Sequence, residues 1–255
     1  MKTLLVDIGN TRAKWAVLSD EKLGPAKALT HEGGANAMVA LLAKAPRDVS
    51  RVFAVSVAGP RLNQALTRAA RARGLRVTFV KSTRAAGGVT NGYKEVWRLG
   101  ADRWAGAIGA HQIARGRGVL LAMVGTALTI DLVTAEGRHL GGAIVPGPAT
   151  MVASLLSGTK GIRRRAQGLR GSSRKLFAVD TASALAAGSQ VAAAAFIDRA
   201  VAEAAKTLAS RPLLLLSGGG AADLRRHLRS ARREVPDLVL RGLAVLASQP
   251  SRDRG

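Results

Sequence analysis

Leu4-Leu5-Val6-Asp7-Ile8-Gly9-Asn10-Thr11-Arg12-Ala13-Lys14 is a short apolar strand running into a tight polar turn, and Trp15-Ala16-Val17-Leu18 returns as a second strand. Gly9 lets a backbone approach a bulky anion, Asn10 and Thr11 carry short hydrogen-bonding side chains, and Lys14 brings positive charge. Asp7, at the strand end, can hold a hydrated divalent cation. The stretch reads as a hairpin for nucleotide phosphates. Taken by itself it is equally an ordinary β-turn, which Gly, Asn and Asp favour without any ligand.

The pattern recurs farther along. Val119 to Met123 leads through Val124-Gly125-Thr126-Ala127 into Leu128 to Val133: strand, Gly-Thr turn and strand again. Leu213 to Leu216 then enters Ser217-Gly218-Gly219-Gly220 and the helix-like Ala221 to Leu224, a turn that could admit an adenosine. Two such hairpins and a glycine turn at a helix start predict two similar lobes closing on one nucleotide. Competing nucleotide signatures fail. In Gly87-Gly88-Val89-Thr90-Asn91-Gly92-Tyr93-Lys94 a tyrosine stands where a P-loop needs its lysine, Gly218 to Asp223 lacks the last glycine of the dinucleotide fingerprint, and no protein-kinase set is present.

Periodicity elsewhere agrees with two lobes. Strands are predicted at Thr3 to Ile8, Lys14 to Leu18 and Ala26 to Leu29, then a helix near Asn36 to Lys44, a strand at Arg51 to Val57, a helix at Arg61 to Arg73 and a strand at Val77 to Val80. The second half repeats the order: strands at Val119 to Met123, Leu128 to Val133 and His139 to Ile144, a helix near Ala149 to Leu156, an Ala-rich helix from Ser183 to Leu208, and the Leu213 strand. A meander followed by alternating helices and strands argues for mixed α/β layers. The lobe boundary is expected near Arg115 to Gly118, where Gly and Arg alternate.

Composition bounds the function classes. Without cysteine there is no disulfide framework, thiolate zinc site or cysteine nucleophile. No apolar run is long enough to span a bilayer and no signal-peptide pattern opens the chain, so a soluble cytoplasmic protein without a membrane partner is expected. The 39 Lys and Arg against 16 Asp and Glu give a charge of +23, which attracts ATP, nucleic acid or any anionic surface. Most basic residues, among them Arg68, Arg71, Arg73, Arg225 and Arg232, fall on helical segments as solvated faces do. The dense patch is Arg163-Arg164-Arg165 with Arg170, Arg174 and Lys175, read as a loop. With aromatics only 3% of the chain, a base-stacking platform, and hence a nucleic-acid partner, is not expected.

Asp7-Ile8-Gly9-Asn10-Thr11, the block from Asn91 to Arg103, Gly125-Thr126-Ala127 with Asp131, and Gly141 to Gly147 follow the order found in type III pantothenate kinases. Asp180 to Gly188 and Asp237 to Leu243 extend the match. The chain therefore resembles that family, which includes the Bvg accessory factor proteins. The resemblance implies an α/β fold of two ribonuclease H-like lobes, as in the superfamily of acetate and sugar kinases, Hsp70 and actin, with lobes at 1–116 and 117–255. It implies ATP-dependent phosphorylation of pantothenate to 4'-phosphopantothenate, the first step of coenzyme A biosynthesis, by a homodimer.

Carried over position by position, the resemblance makes Asp102 the catalytic base and places Tyr93, Gly100, Ala101, Asp102, Arg103 and Thr181 at pantothenate. Asp7, Ile8, Gly9, Asn10, Thr11, Arg12, Ala13, Lys14 and Thr126 match ATP-contacting positions, and Asp7 would hold Mg²⁺ through water. Each has a plainer reading: Asp102 and Thr181 as helix N-caps, Arg103 as a surface helix arginine, Tyr93 as a half-buried packing ring. Asp131 reads as a strand-end carboxylate facing solvent. Two departures stand out. Many family members carry an aspartate at the position of Met123 to bind a monovalent cation; a thioether does not coordinate a hard cation, so weak or absent dependence on K⁺ or NH₄⁺ is expected. Gly92 and Val96 replace common prolines, which predicts a less rigid loop around Tyr93. The alternative to an enzyme is a regulatory or accessory protein of the same fold, with nucleic acid bound through the basic surface.

Overall fold

Alternating apolar residues make Lys2–Ile8 (β1) and Arg12–Ser19 (β2) an antiparallel hairpin in the computed structural model, which describes residues 2–31, 34–172 and 174–249. On β2, the outer edge is shared by Lys22–Leu23 (β3) and Lys27–Thr30 (β4). Helix Asn36–Ala43 (α1) leads to Val49–Ser56 (β5), which lies parallel to β1, and helix Pro60–Arg71 (α2) to Arg76–Phe79 (β6), parallel to β5. The period of two sorts β1 into faces. Leu4, Val6 and Ile8 pack with Met38, Leu41, Leu62 and Leu66 of α1 and α2. Leu5 packs on the opposite face, the one on which alternation also places Asp7.

That opposite face is covered by two helices distant in sequence. After Ala85–Ala86 (β7), Val89–Thr90 (β8) and a 3₁₀ turn at Val96–Arg98 comes Ala101–Ala114 (α3); the second helix is Leu238–Ser248 (α8). Ala105, Leu240, Leu243 and Ala247 form a core with Leu5 and Val55. Glycine lets the helices meet backbone to backbone: a Cβ on Gly242 would lie 1.7 Å from the Ala105 carbonyl oxygen.

The second sheet repeats the first. Val119–Val124 (β9) and Ala127–Val133 (β10) form an antiparallel hairpin; Leu213–Ser217 (β12) is parallel to β9 and Arg232–Glu234 (β13) is parallel to β12. His139–Pro146 (β11) borders β10. Helices Pro148–Gly158 (α4), Lys160–Ala166 (α5), Thr181–Leu208 (α6) and the short Ala221–Leu224 (α7) complete the chain. Leu120, Ala122 and Val124 bury against Ala193, Ala194, Ile197 and Val201 of α6.

The chain divides into two compact units. The first comprises residues up to Gly116 together with Ala135–Leu140 and the segment from Asp237; the second comprises Arg117–Thr134 and Gly141–Pro236. The chain from Asp237 groups with the first unit because α8 is packed on α3 and on the first sheet. Among the described residues no helix is long and apolar enough to cross a membrane.

Two features of the basic residues differ from the sequence expectation. Arg163-Arg164-Arg165 belong to helix α5, not to a loop. Several arginines, including Arg73 and Arg232 of the expected solvated faces and Arg163 of the dense patch, donate to backbone carbonyls at helix ends, where orphan acceptors collect. Arg73 donates to Leu42, Ala45 and Pro46 after α1, Arg51 to Ala247 of α8, Arg163 to Leu156 and Ser157 of α4, and Arg232 to Arg225. With so few carboxylates in the chain, the carbonyl oxygens serve as their partners, so part of the excess charge is tied to the fold.

Candidate functional site

In the first unit the hairpin turn is closed by the Gly9 N–H, which donates to the Arg12 carbonyl at 3.0 Å. Asn10, Thr11 and Arg12 are exposed, whereas Ile8 and Ala13 are fully buried within the sheet and present no surface to a ligand, which corrects the expectation that these two touch ATP. His31 fastens the turn from outside. Its Nε2–H donates to the Gly9 carbonyl at 2.8 Å, and its backbone N–H donates to the Thr11 carbonyl at 3.1 Å. Nothing in the sequence pattern marks this histidine, which lies 22 positions from Gly9.

Asp7 pairs across the hairpin with Lys14. Burial, reinforced by the Asp102 carboxylate and opposed by Lys14, pushes the Asp7 carboxyl from 3.8 up to about 7. Asp102 stands in the first turn of α3, on the sheet face that alternation assigns to Asp7. Gly100 occupies the capping position, so Asp102 is not the N-cap; its Oδ1 accepts from the Arg103 N–H at 2.8 Å within the first turn. Two carboxylates that act on each other suit a divalent cation. Among the described residues no group of three or more metal-ligating side chains lies together, so a Mg²⁺ here would rest on Asp7, water and phosphate oxygens.

Arg103 is only 4% exposed, which removes the reading of it as a surface arginine. Its Nη1 donates to the Tyr93 hydroxyl at 3.0 Å, and the guanidinium carbon lies 5.7 Å from the Tyr93 ring centroid. The Tyr93 ring stacks on buried His139, centroids 5.9 Å apart and planes at 18°. The structure thus brings Tyr93 and Arg103 together and adds His139, which the sequence reading used only as a strand start. The loop carrying Tyr93 is well anchored despite its missing prolines. Asn91 accepts from the Tyr93 N–H at 2.9 Å and donates to Thr83 and Val96 carbonyls, while Ser82 Oγ donates to the Leu99 carbonyl at 2.7 Å. At Gly92 a Cβ would lie 1.9 Å from the His139 carbonyl oxygen, so the departure from proline matches a close backbone approach.

The second unit holds the other expected residues. The Gly125 N–H donates to the Ala127 carbonyl at 2.9 Å, and the carbonyl of exposed Thr126 accepts from Gly147 N–H at 2.8 Å and Thr150 Oγ1 at 2.6 Å, at the start of α4. The Gly218–Gly220 turn rests on the same hairpin through Gly220 N–H to the Val124 carbonyl at 3.0 Å. Asp180, not Thr181, caps α6: its side chain accepts from Ser183 N–H at 2.8 Å, a bond that holds its carboxyl below the usual range. Thr181 is the first helical residue and half-buried. Asp131 corrects the expectation of a solvent-facing strand end. It sits inside β10 opposite Leu121 and is fully buried, because β10 continues two residues beyond it.

Comparisons with known proteins give the chain's relatives. The family model described as type III pantothenate kinase matches residues 3–203. A type III pantothenate kinase of Herminiimonas arsenicoxydans is 40% identical over 251 residues, covering 96% of each chain. One from Nitrosococcus oceani is 36% identical over 259 residues, covering 98% of this chain and 96% of its own. Among solved structures, component A of (R)-2-hydroxyglutaryl-CoA dehydratase from Acidaminococcus fermentans aligns over 96% of both chains with a TM-score of 0.56 at 13% identity, a likeness of fold alone. The fold is that of the acetate and sugar kinase, Hsp70 and actin superfamily.

Proposed function

The chain belongs to the type III pantothenate kinase family, and on that premise we propose that it transfers the γ-phosphoryl group of ATP to the primary hydroxyl of pantothenate. The observation that carries the reading is the meeting of Asp7 and Asp102 on one face of the first sheet, with buried Arg103 and Tyr93 joined beside them. Asp102 accepts the hydroxyl proton as the oxygen attacks phosphorus. Arg103 and Tyr93 hold the oxygens of pantothenate through a guanidinium fork and a phenol, and Gly100, Ala101 and Thr181 complete its contacts. The exposed turn residues Asn10, Thr11 and Arg12, with Lys14, receive phosphate oxygens, and Thr126 is assigned to ATP by its match to the family. Asp7 would hold Mg²⁺ through water, and the ion would supply positive charge to neutralise the triphosphate.

The resemblance also supports a cytoplasmic homodimer, which sedimentation would report as twice the 26.4 kDa chain mass. The test of function is a coupled assay of ADP release with purified protein, MgATP and pantothenate. Pantothenate-dependent turnover is expected. ATP binding without turnover would favour the regulatory alternative.

A further inference from the structure

Taking the pantothenate site as read above, we propose that Arg84 is its positioning residue, setting the Tyr93 hydroxyl against Arg103. Residues 83–99 contain little regular structure, only β7, β8 and one 3₁₀ turn, so most carbonyls there lack ladder partners. Three of them converge on one guanidinium. Arg84 Nη1 donates to the Asn91 and Tyr93 carbonyls and Nη2 to the Lys94 carbonyl, each at 3.1 Å. The hold is reciprocal, because the Asn91 N–H donates to the Arg84 carbonyl at 2.9 Å. A planar fork with fixed donors spans three carbonyls at once; a lysine ammonium is a point charge on a flexible stem and does not.

Both sides of the Tyr93 backbone are thereby fixed: Arg84 takes its carbonyl and Asn91 its N–H. The ring leaves this fixed point to stack on His139, and its hydroxyl reaches the Arg103 guanidinium at 3.0 Å. Arg84 itself is exposed and packs no core, so its loss should reach the site without unfolding the protein. Its signal in the sequence is faint, one arginine among 39 Lys and Arg, separated from Tyr93 by the β7–β8 hairpin.

Tyr93 is the only tyrosine, so ring-¹³C tyrosine gives one resonance that reports its surroundings directly. In Arg84→Ala that resonance should move toward the free-tyrosine position, and the KM for pantothenate should rise ~10–100-fold, as misplacement of a positioning group does. The KM for ATP and the melting temperature should stay near parental, and Arg84→Lys should recover only a small part. An unmoved resonance in a folded Arg84→Ala protein overturns the proposal, whatever happens to activity. So does a moved resonance with an unchanged pantothenate KM, or full recovery by lysine. If the parent protein fails to phosphorylate pantothenate, the functional reading falls while the resonance still decides whether Arg84 positions Tyr93.

Discussion

Counting back two residues from the turn glycine reaches Asp7 in the first hairpin and Met123 in the second, and the residues opposite them are Lys14 and Thr129. The two hairpins share register and neighbours: in each sheet an antiparallel pair is followed by two parallel strands. Their chemistry differs at this position. The first has a half-buried carboxylate under the influence of Asp102, the second a thioether. Their supports differ as well. His31 ties down the first turn with a side chain, whereas the second is held largely through backbone by the start of α4 and the 218–220 turn. Repeating a backbone needs only alternation and a glycine turn, and the side chains placed on it are free to diverge.

The largest test of that asymmetry is Asp102→Asn. The amide keeps size but is no proton acceptor, so turnover should fall ~10²–10⁴-fold with ATP binding nearly intact. Removing the Asp102 charge should also lower the Asp7 carboxyl pKa, readable by NMR titration. Turnover at the parental rate would remove Asp102 as the base.

Asp7→Asn should cost roughly 10–100-fold in MgATP-dependent rate, the usual loss for a water-mediated metal partner. Its effect on stability has the opposite sign. Because the folded carboxyl pKa is raised from 3.8 to about 7, the protonated form favours folding, and that contribution fades as pH rises through this interval. The variant's advantage in melting temperature without nucleotide should therefore be absent below pH ~4, grow up to pH ~7 and level off at several degrees, for relief of at most about 4 kcal/mol. A variant less stable than the parent at pH 8 would show that the Asp7 charge is welcome in the fold.

Met123 sets the third test. At matched ionic strength, sodium and potassium or ammonium salts should give similar rates, since a thioether does not ligate these ions. Saturable activation by potassium would mean that other groups rebuild a cation site at the second hairpin. The smallest effect is expected at Arg163, which caps the helix whose start supports that hairpin. Arg163→Ser should lower the melting temperature by about 1–4 °C, and Arg164→Ser and Arg165→Ser hardly at all. Any DNA binding of the parent should be weak and lost near physiological salt, as expected of dispersed charge. Tight binding that survives such salt and disappears when Arg163, Arg164 and Arg165 are all changed to Ser would favour the regulatory alternative.

Both hairpins, the glycine turn and most helices were legible because turn chemistry and the two- and 3.6-residue periods are local. Asp7, Asp102, Arg103 and Tyr93 were named from motif order. Their burial and mutual contacts were not accessible that way, and Asp131 was placed in solvent because a carboxylate near a strand end ordinarily faces water. Helix α5 escaped notice because a seven-residue run of mostly basic residues carries no apolar period.

By itself the sequence determined the strand faces, and with them the side of the first sheet on which Asp7 stands, because alternation is a property of the chain alone. Only the tertiary structure decided what covers that side. The return of α8 to α3 rests on Gly242 meeting Ala105 across more than a hundred residues, and Arg51 reaches the carbonyl of Ala247 from 196 positions away. The positions of His31 on Gly9, His139 on Tyr93 and Arg84 on the substrate loop arise in the same way. A guanidinium or imidazole can serve any carbonyl within reach, and which one lies within reach is fixed only when distant segments pack.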